Sequence, residues 1–241
     1  SAYHVLSTLL DVCSDELEVL VAGETGDDKI VDRVRRRIDE IFGPYAAVSE
    51  EIDLSRFIEA ALEEIRPRFK HRKCRIATRI DSTGAVRIPP EVLSKIIEGL
   101  VRNAVESTPD GGRIEVNAGV GKVGPVFEVI DSGVGITAEN QRLIFENYFT
   151  AADAMQYSTR QPYDFNAGGR GFDLLRMKIF SERYNFTIRM DSDRCGHIPG
   201  DADVCPGDAD RCPHIRSGED CLQSGGTRVT VQFPPIGGTT R

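Results

Sequence analysis

Apolar side chains fall at Leu6, Leu9, Leu10, Cys13, Leu17, Leu20 and Val21, and again at Ile30, Val34, Ile38, Ile41, Phe42 and Tyr45. Both sets recur at three and four residues, the spacing of a helix with one apolar face. The polar "AGETGDDK" between them holds two glycines and reads as the bend of a helical hairpin over residues 1–50. Two helices alone bury little. Their stripe either meets a second copy in a four-helix homodimer or folds onto the chain's own domain.

After "SEEID" the pattern turns to alternating helices and strands. Asp53 is placed to cap a helix running to Arg66, with Pro67 just past its end. "CRIATRI" alternates as a strand with Cys74, Ile76, Thr78 and Ile80 on one face. "PPEVLSKIIEGLVRNAVES" reads as a long helix opened by proline, with Val92, Ile96, Leu100 and Val101 facing inward. "RIEVNAG" and "PVFEVID" follow as a strand pair around "GVGKVG". A helix from about Gly171 to Arg183, a strand at "NFTIRM" and a last strand at "TRVTVQF" complete the order. This succession predicts an α+β fold over residues 51–241, a two-layer α/β sandwich whose mixed sheet is covered by helices.

With 241 residues and 40% hydrophobic side chains, the chain holds one full core and a smaller appended piece. No apolar run reaches membrane-spanning length and no charged, apolar, small-residue leader opens the sequence. The expectation is a cytoplasmic protein, tied to a membrane only through segments absent from this sequence. A net charge of −8 gives no basic footprint, which argues against nucleic acid as the main partner.

The candidate chemistry begins at "VIDSGVGI", where an apolar strand ends on Asp131 and runs into a turn holding Gly133 and Gly135. One glycine suffices for a turn, so the second suggests close approach of something to the backbone. The preceding helix carries Asn103 in "LVRNAVESTPDGG"; "LIFENYFT", "NAGGRGFDLL" and "GGTRVTVQF" come after. In this order the elements resemble the ATP-binding domain of sensor histidine kinases, within the GHKL superfamily of ATPases, over roughly residues 54–235.

The resemblance implies a GHKL-type fold with ATP and Mg2+ as cofactors. Asp131 would accept a hydrogen bond from adenine's exocyclic amino group, a charged hydrogen bond worth about 1.5 to 3 kcal/mol. Gly133 and Gly135 would let the flat ring approach, and Thr227, after Gly225 and Gly226, would line the same pocket. Asn103 would offer magnesium an amide oxygen. Gly169, Arg170 and Gly171, opening a helix, would cradle the phosphates. The segment between Phe149 and Gly168 would form a mobile lid hinged at Gly168 and Gly169, with Phe145 and Phe149 at its root. One departure is Asp173, where the family's glycine box has a third glycine. A carboxylate roughly 6 Å from a phosphate opposes it by roughly 3 kcal/mol at an effective dielectric near 20. Asp173 therefore either points away, capping the helix, or weakens binding.

Hydrolytic members carry a glutamate four residues before the magnesium asparagine, and that position here is Gly99. Glu98 stands beside it, turned by about 100° on the helix. Phosphoryl transfer to a protein nucleophile fits better than hydrolysis. "HVLSTLL" keeps His4 at the place of the family's phosphoaccepting histidine on the first hairpin helix, although Val5 replaces the usual acid and Leu9 the usual proline. His4 is thus either the phosphoacceptor or a histidine on a helix end. His71, in "KHRK", reads as a solvated turn residue.

Four of six cysteines, Cys195, Cys205, Cys212 and Cys221, crowd a polar insertion at about residues 192–224. It contains the near-repeat "GDADVCP" and "GDADRCP", and a segment so rich in Asp, Gly and Pro buries too little to order itself unaided. The cysteines could staple it as a tetrahedral metal site, zinc being the candidate ion with His197 or His214 as a substitute ligand, or as disulfides, or stay free thiols. Cys13 and Cys74 read as small core hydrophobes.

These features predict an ATP-dependent protein histidine kinase of a two-component system, with catalytic residues His4 and Asn103 and a response regulator receiver domain as partner. The competing expectation is a noncatalytic nucleotide-binding module that senses metal or redox state through its cysteines.

Overall fold

The computed structural model describes residues 47–145, 162–167, 172–200 and 202–236. The hairpin expected over residues 1–50 lies almost wholly outside the described residues. The described elements begin with β1 (Glu50–Asp53), α1 (Leu54–Ile65), β2 (Arg75–Ile80), β3 (Ala85–Ile88) and α2 (Pro90–Ser107). There follow β4 (Arg113–Val120), β5 (Pro125–Asp131), α3 (Ala138–Phe145), α4 (Phe172–Tyr184), β6 (Thr187–Asp193), α5 (Gly218–Leu222) and β7 (Gly226–Gln232).

Five strands form one sheet in the order β2-β4-β5-β7-β6, with β2 parallel to β4 and the other pairs antiparallel. Helix α2 lies against β5, α4 against β6 and α2, and α1 against α2. This is the α+β two-layer sandwich that the periodicity predicts. Its core sits between the helices and the inner face of the sheet, where Ile114, Val116, Phe127, Val129 and Val231 meet Leu54, Ile58, Val92, Ile96, Leu100, Met177 and Phe180.

Local chemistry explains the main elements. Asp53 caps α1, its Oδ1 accepting from the Arg56 amide at 3.1 Å, and Leu54, Ile58, Leu62 and Ile65 form the buried stripe. Pro67 stands within a 3-10 turn, Arg66–Phe69, that continues from α1 and buries Phe69. Along β4 and β5 buried and half-buried positions alternate, as the two-residue period of a strand against one layer requires. Two features differ from the expected order. Strands β1 and β3 pair as a small separate sheet, and α3 follows the glycine turn. Four-residue strands are too short for alternation to mark, and only their remote pairing defines them.

At the end of α2 the side chain of Arg72 is only 6% exposed. Its guanidinium donates to Asp110 Oδ1 at 2.9 Å and to the carbonyls of Val105, Thr108 and Tyr163 at 3.1, 2.7 and 2.9 Å. A cation that saturates the free carbonyls at a helix C-terminus is favoured both by hydrogen bonding and by the helix dipole. Tyr163 is buried, and its amide donates to Glu106 Oε1 at 3.0 Å; the Asn166 amide donates to the Glu106 carbonyl at 2.8 Å. Residues 162–167, expected as part of a mobile lid, are therefore pinned to α2, and the hinge residues Gly168 and Gly169 lie outside the described residues. His71 is not simply solvated: its Nε2 lies 2.8 Å from Asp164 Oδ1 on the same segment.

Candidate functional site

Asp131 is the last residue of β5 and shares the core-facing side with Phe127 and Val129. Its register partner on β7 is Thr227, and on β4 it is Ile114. Directly opposed residues of antiparallel strands project to the same face, so the sheet brings Asp131 and Thr227 together although 96 positions separate them (227 − 131). Asn103 stands on α2, four residues before Ser107. One turn further on, the Ser107 carbonyl accepts the Val134 amide at 3.1 Å, which joins the end of that helix to the glycine loop. Asn103 is half-buried, and its side-chain amide has no hydrogen-bond partner among the described residues.

The Asp131 carboxyl is 9% exposed. Its Oδ1 accepts the Gly133 amide at 2.9 Å, and no cationic side chain pairs with it among the described residues. Burial pushes it up to about 7, against the pull of the Gly133 and Thr227 backbone amides. Such a carboxylate is a strong acceptor with unused lone pairs, fitted to a neutral N–H donor that reaches it out of water. That is the chemistry an exocyclic amino group requires. Asn103, with a free amide oxygen one helical turn from the loop, fits a magnesium ligand.

The glycines have structural work of their own. A Cβ on Gly133 would stand 2.5 Å from the Ser107 carbonyl oxygen, and one on Gly135, where φ is +64°, would stand 1.8 Å from the Asp193 oxygen. A Cβ on Gly226 would stand 2.2 Å from the backbone carbonyl oxygen of Asp131. Close backbone packing alone thus demands these glycines. Gly169, Arg170, Gly171 and His4 lie outside the described residues. Asp173 is the second residue of α4, in its first turn.

Several residues that the sequence did not single out hold this loop. Ser192 Oγ accepts the Ile136 amide at 2.9 Å and lies 2.9 Å from Thr227 Oγ1. Gln141 on α3 donates to both the Ile136 and Ser192 carbonyls at 2.7 Å. A lone Ser or Gln has no periodic or spacing signal, so only the fold reveals these bridges. Glu98 accepts from Arg68 at 2.6 Å and from the Tyr163 hydroxyl at 3.4 Å, while Gly99 is buried.

The insertion does not stand unaided: it leans on the domain. Asp110 and Asp208 form a β-bridge, the Cys195 amide donates to the Val134 carbonyl at 2.9 Å, and Gly207 packs on the Phe165 ring. Cys195, Cys205, Cys212 and Cys221 are all free, half-buried, and line one pocket together with His197 and Ser224. The space at its centre is about 20 Å3, room for a single small occupant. As placed, no three His, Cys, Asp or Glu side chains among the described residues are set to hold a metal ion. The expected thiolate ligands converge without being assembled into a coordination shell. Burial, with the neighbouring Cys205, Cys195 and Cys212, pushes the Cys221 thiol up to about 11. Cys74 is half-buried beside the Thr108 and Pro109 carbonyls.

Comparison with known proteins settles the family. The model of the histidine kinase-, DNA gyrase B- and HSP90-like ATPases matches residues 89–236, which contain Asn103, Asp131 and Thr227. The chain belongs to this ATPase family. Sensor histidine kinase ZraS of Escherichia coli O157:H7 is 28% identical to it over 168 residues, 68% of this chain and 34% of ZraS. Histidine protein kinase SaeS of Staphylococcus aureus is 27% identical over 150 residues, 60% of this chain and 40% of SaeS. The chain thus spans about a third of the length of ZraS. Among solved structures, the catalytic domain of histidine kinase ThkA superposes with a TM-score of 0.51 at 15% identity, covering 78% of this chain and 96% of that one. That likeness extends the GHKL-type fold to the sheet and helices described above. No helix among the described residues is long and apolar enough to cross a membrane.

Proposed function

We propose that this chain is the catalytic, ATP-binding part of a protein histidine kinase of a two-component system. In this reading it phosphorylates a histidine and passes the phosphoryl group to an aspartate of a response regulator receiver domain. The observation that carries the reading is the buried Asp131 carboxyl at a strand end, paired with no cation among the described residues, register-paired with Thr227 and joined by its glycine loop to the Asn103 helix.

The Gly133 amide holds the carboxylate in place, and Asp131 accepts the adenine amino group. Thr227, locked to Ser192, lines the pocket beside it. Asn103 holds magnesium through its amide oxygen, and Gly169, Arg170 and Gly171 bind the phosphates. ATP supplies an activated phosphoryl group, whose transfer depends on positioning and charge neutralisation more than on a protein base. Transfer is favoured over hydrolysis because position 99 has no side chain and Glu98 is already engaged by Arg68 and Tyr163. The named relatives, both histidine kinases, support the same reaction class. His4 is the proposed phosphoacceptor, on a hairpin over residues 1–50 that pairs with a second copy of the chain in the cytoplasm.

Incubating the full chain with labelled ATP and Mg2+ tests the proposal. The expected product is an acid-labile label that is absent from His4→Ala. Nucleotide binding without label would leave a noncatalytic binding module, and no nucleotide binding at all would remove the pocket itself.

A further inference from the structure

The four-thiol pocket lies outside the nucleotide chemistry, and nothing in that chemistry explains it. Cys195 and Cys205 from two loop segments, Cys212 at the end of a 3-10 turn and Cys221 on α5 line one space of about 20 Å3. Between Arg194 and Gly225 the described buried hydrophobics are Ile198 and Ala209 alone, at 5% and 8% exposure. So small an apolar nucleus leaves the contacts with the domain to hold the segment, and a bound ion would add a staple to them. The thiols are not bonded to one another: all four are free, Cys195 Sγ donates to Ser224 Oγ at 3.2 Å, and Cys205 Sγ accepts from the Gly207 backbone amide.

We propose that Cys195, Cys205, Cys212 and Cys221 form a binding site for one thiophilic divalent cation, with zinc chemistry, and that its occupancy tightens the loop Gly133–Ile136. Soft sulfur donors in fours select Zn2+ over hard cations, which seek carboxylate and carbonyl oxygen. Zinc binds thiolates, so binding releases thiol protons, and four thiolates with one divalent ion leave the centre with two net negative charges. The sulfurs must draw inward to reach bonding distance of about 2.3 Å, because they do not yet form a coordinating group. Two contacts carry that movement to the loop. The Cys195 amide donates to the Val134 carbonyl at 2.9 Å, and Arg194 Nη1 donates to the Gly135 carbonyl at 3.3 Å. The site itself stands independently of the nucleotide reading; only the use of the loop by a nucleotide rests on it.

The test uses the full chain, reduced and stripped of metal, titrated with Zn2+ against a chromophoric chelator and, separately, with Co2+. The expected result is one ion per chain, a tetrahedral cobalt spectrum with thiolate-to-metal charge transfer, and proton release on zinc binding. Cys205→Ser and Cys212→Ser should each weaken zinc binding at least about tenfold. Amide exchange at residues 133–136 should slow several-fold in the zinc form. Because the cobalt spectrum is read on the wild type, a variant that fails to fold does not decide the matter. Absence of saturable zinc binding, an oxygen-ligand cobalt spectrum, or two disulfides persisting in protein purified without reductant would overturn the site. Unchanged exchange at residues 133–136 despite stoichiometric zinc would overturn the coupling.

Discussion

Asp131 places two demands in conflict, because an ionised carboxylate out of water opposes folding while the proposed adenine contact needs its charge. Burial raises it to about 7. Between the ordinary carboxylate range and that value the folded chain holds a proton that the unfolded chain releases. The stability linked to Asp131 is therefore fully present below the ordinary carboxylate range and is lost as pH rises through about 7. Asp131→Asn, which keeps an oxygen for the Gly133 amide, should unfold at a higher urea concentration than wild type at about pH 8, with the difference shrinking toward about pH 5. The same variant should lose roughly 10- to 100-fold in adenine nucleotide affinity by calorimetry, the equivalent of one charged hydrogen bond. In the wild type, affinity should rise about tenfold between about pH 6 and pH 8 as the carboxylate ionises. An affinity flat across that range would mean that Asp131 does not meet the ligand. At Gly135 the demand is steric. A Cβ there would fall 1.8 Å from the Asp193 oxygen at a positive φ, so Gly135→Ala should destabilise the fold by about 3 kcal/mol or more in chemical denaturation.

At the scale of elements, α2 is the spine of the domain, and both of its ends were readable to different degrees. Its start was legible in Pro89 and Pro90 and its buried face in the apolar period, because both are local. Its end was not. Arg72 lies 33 positions from the Val105 carbonyl it binds, and in "KHRK" it looks like one more solvated cation. The same side chain joins α2 to Tyr163 and so fixes residues 162–167. Arg72→Met should cost about 3 to 5 kcal/mol by leaving buried carbonyls and Asp110 unpaired. Arg72→Lys should recover little, since one ammonium cannot span four acceptors. Limited proteolysis should then cut within residues 162–167 in the variant and not in the wild type. Equal protection in both would show that Glu106, Glu98 and His71 hold the segment without Arg72.

At the scale of the whole molecule, the division between hairpin and ATP-binding domain can be tested by truncation. A fragment starting at residue 47 should bind nucleotide as the full chain does and sediment as a monomer, while the full chain sediments as a dimer and alone takes up the acid-labile label. A monomeric full chain would overturn the proposed hairpin pairing. By itself, the sequence determined the α+β class, the positions of α1, α2, β4, β5 and β7, and the prominence of Asn103, Asp131 and Thr227. Apolar period, helix caps and short motifs are local signals that a linear chain displays directly. Only the tertiary structure decided that Thr227 lies opposite Asp131, that the glycines are required by neighbouring backbone, and that Ser192 and Gln141 brace the loop. It also decided that four cysteines of a polar insertion share one pocket against that loop. Those are contacts between segments distant in sequence, and strand register and close packing, not local preference, determine which of them form.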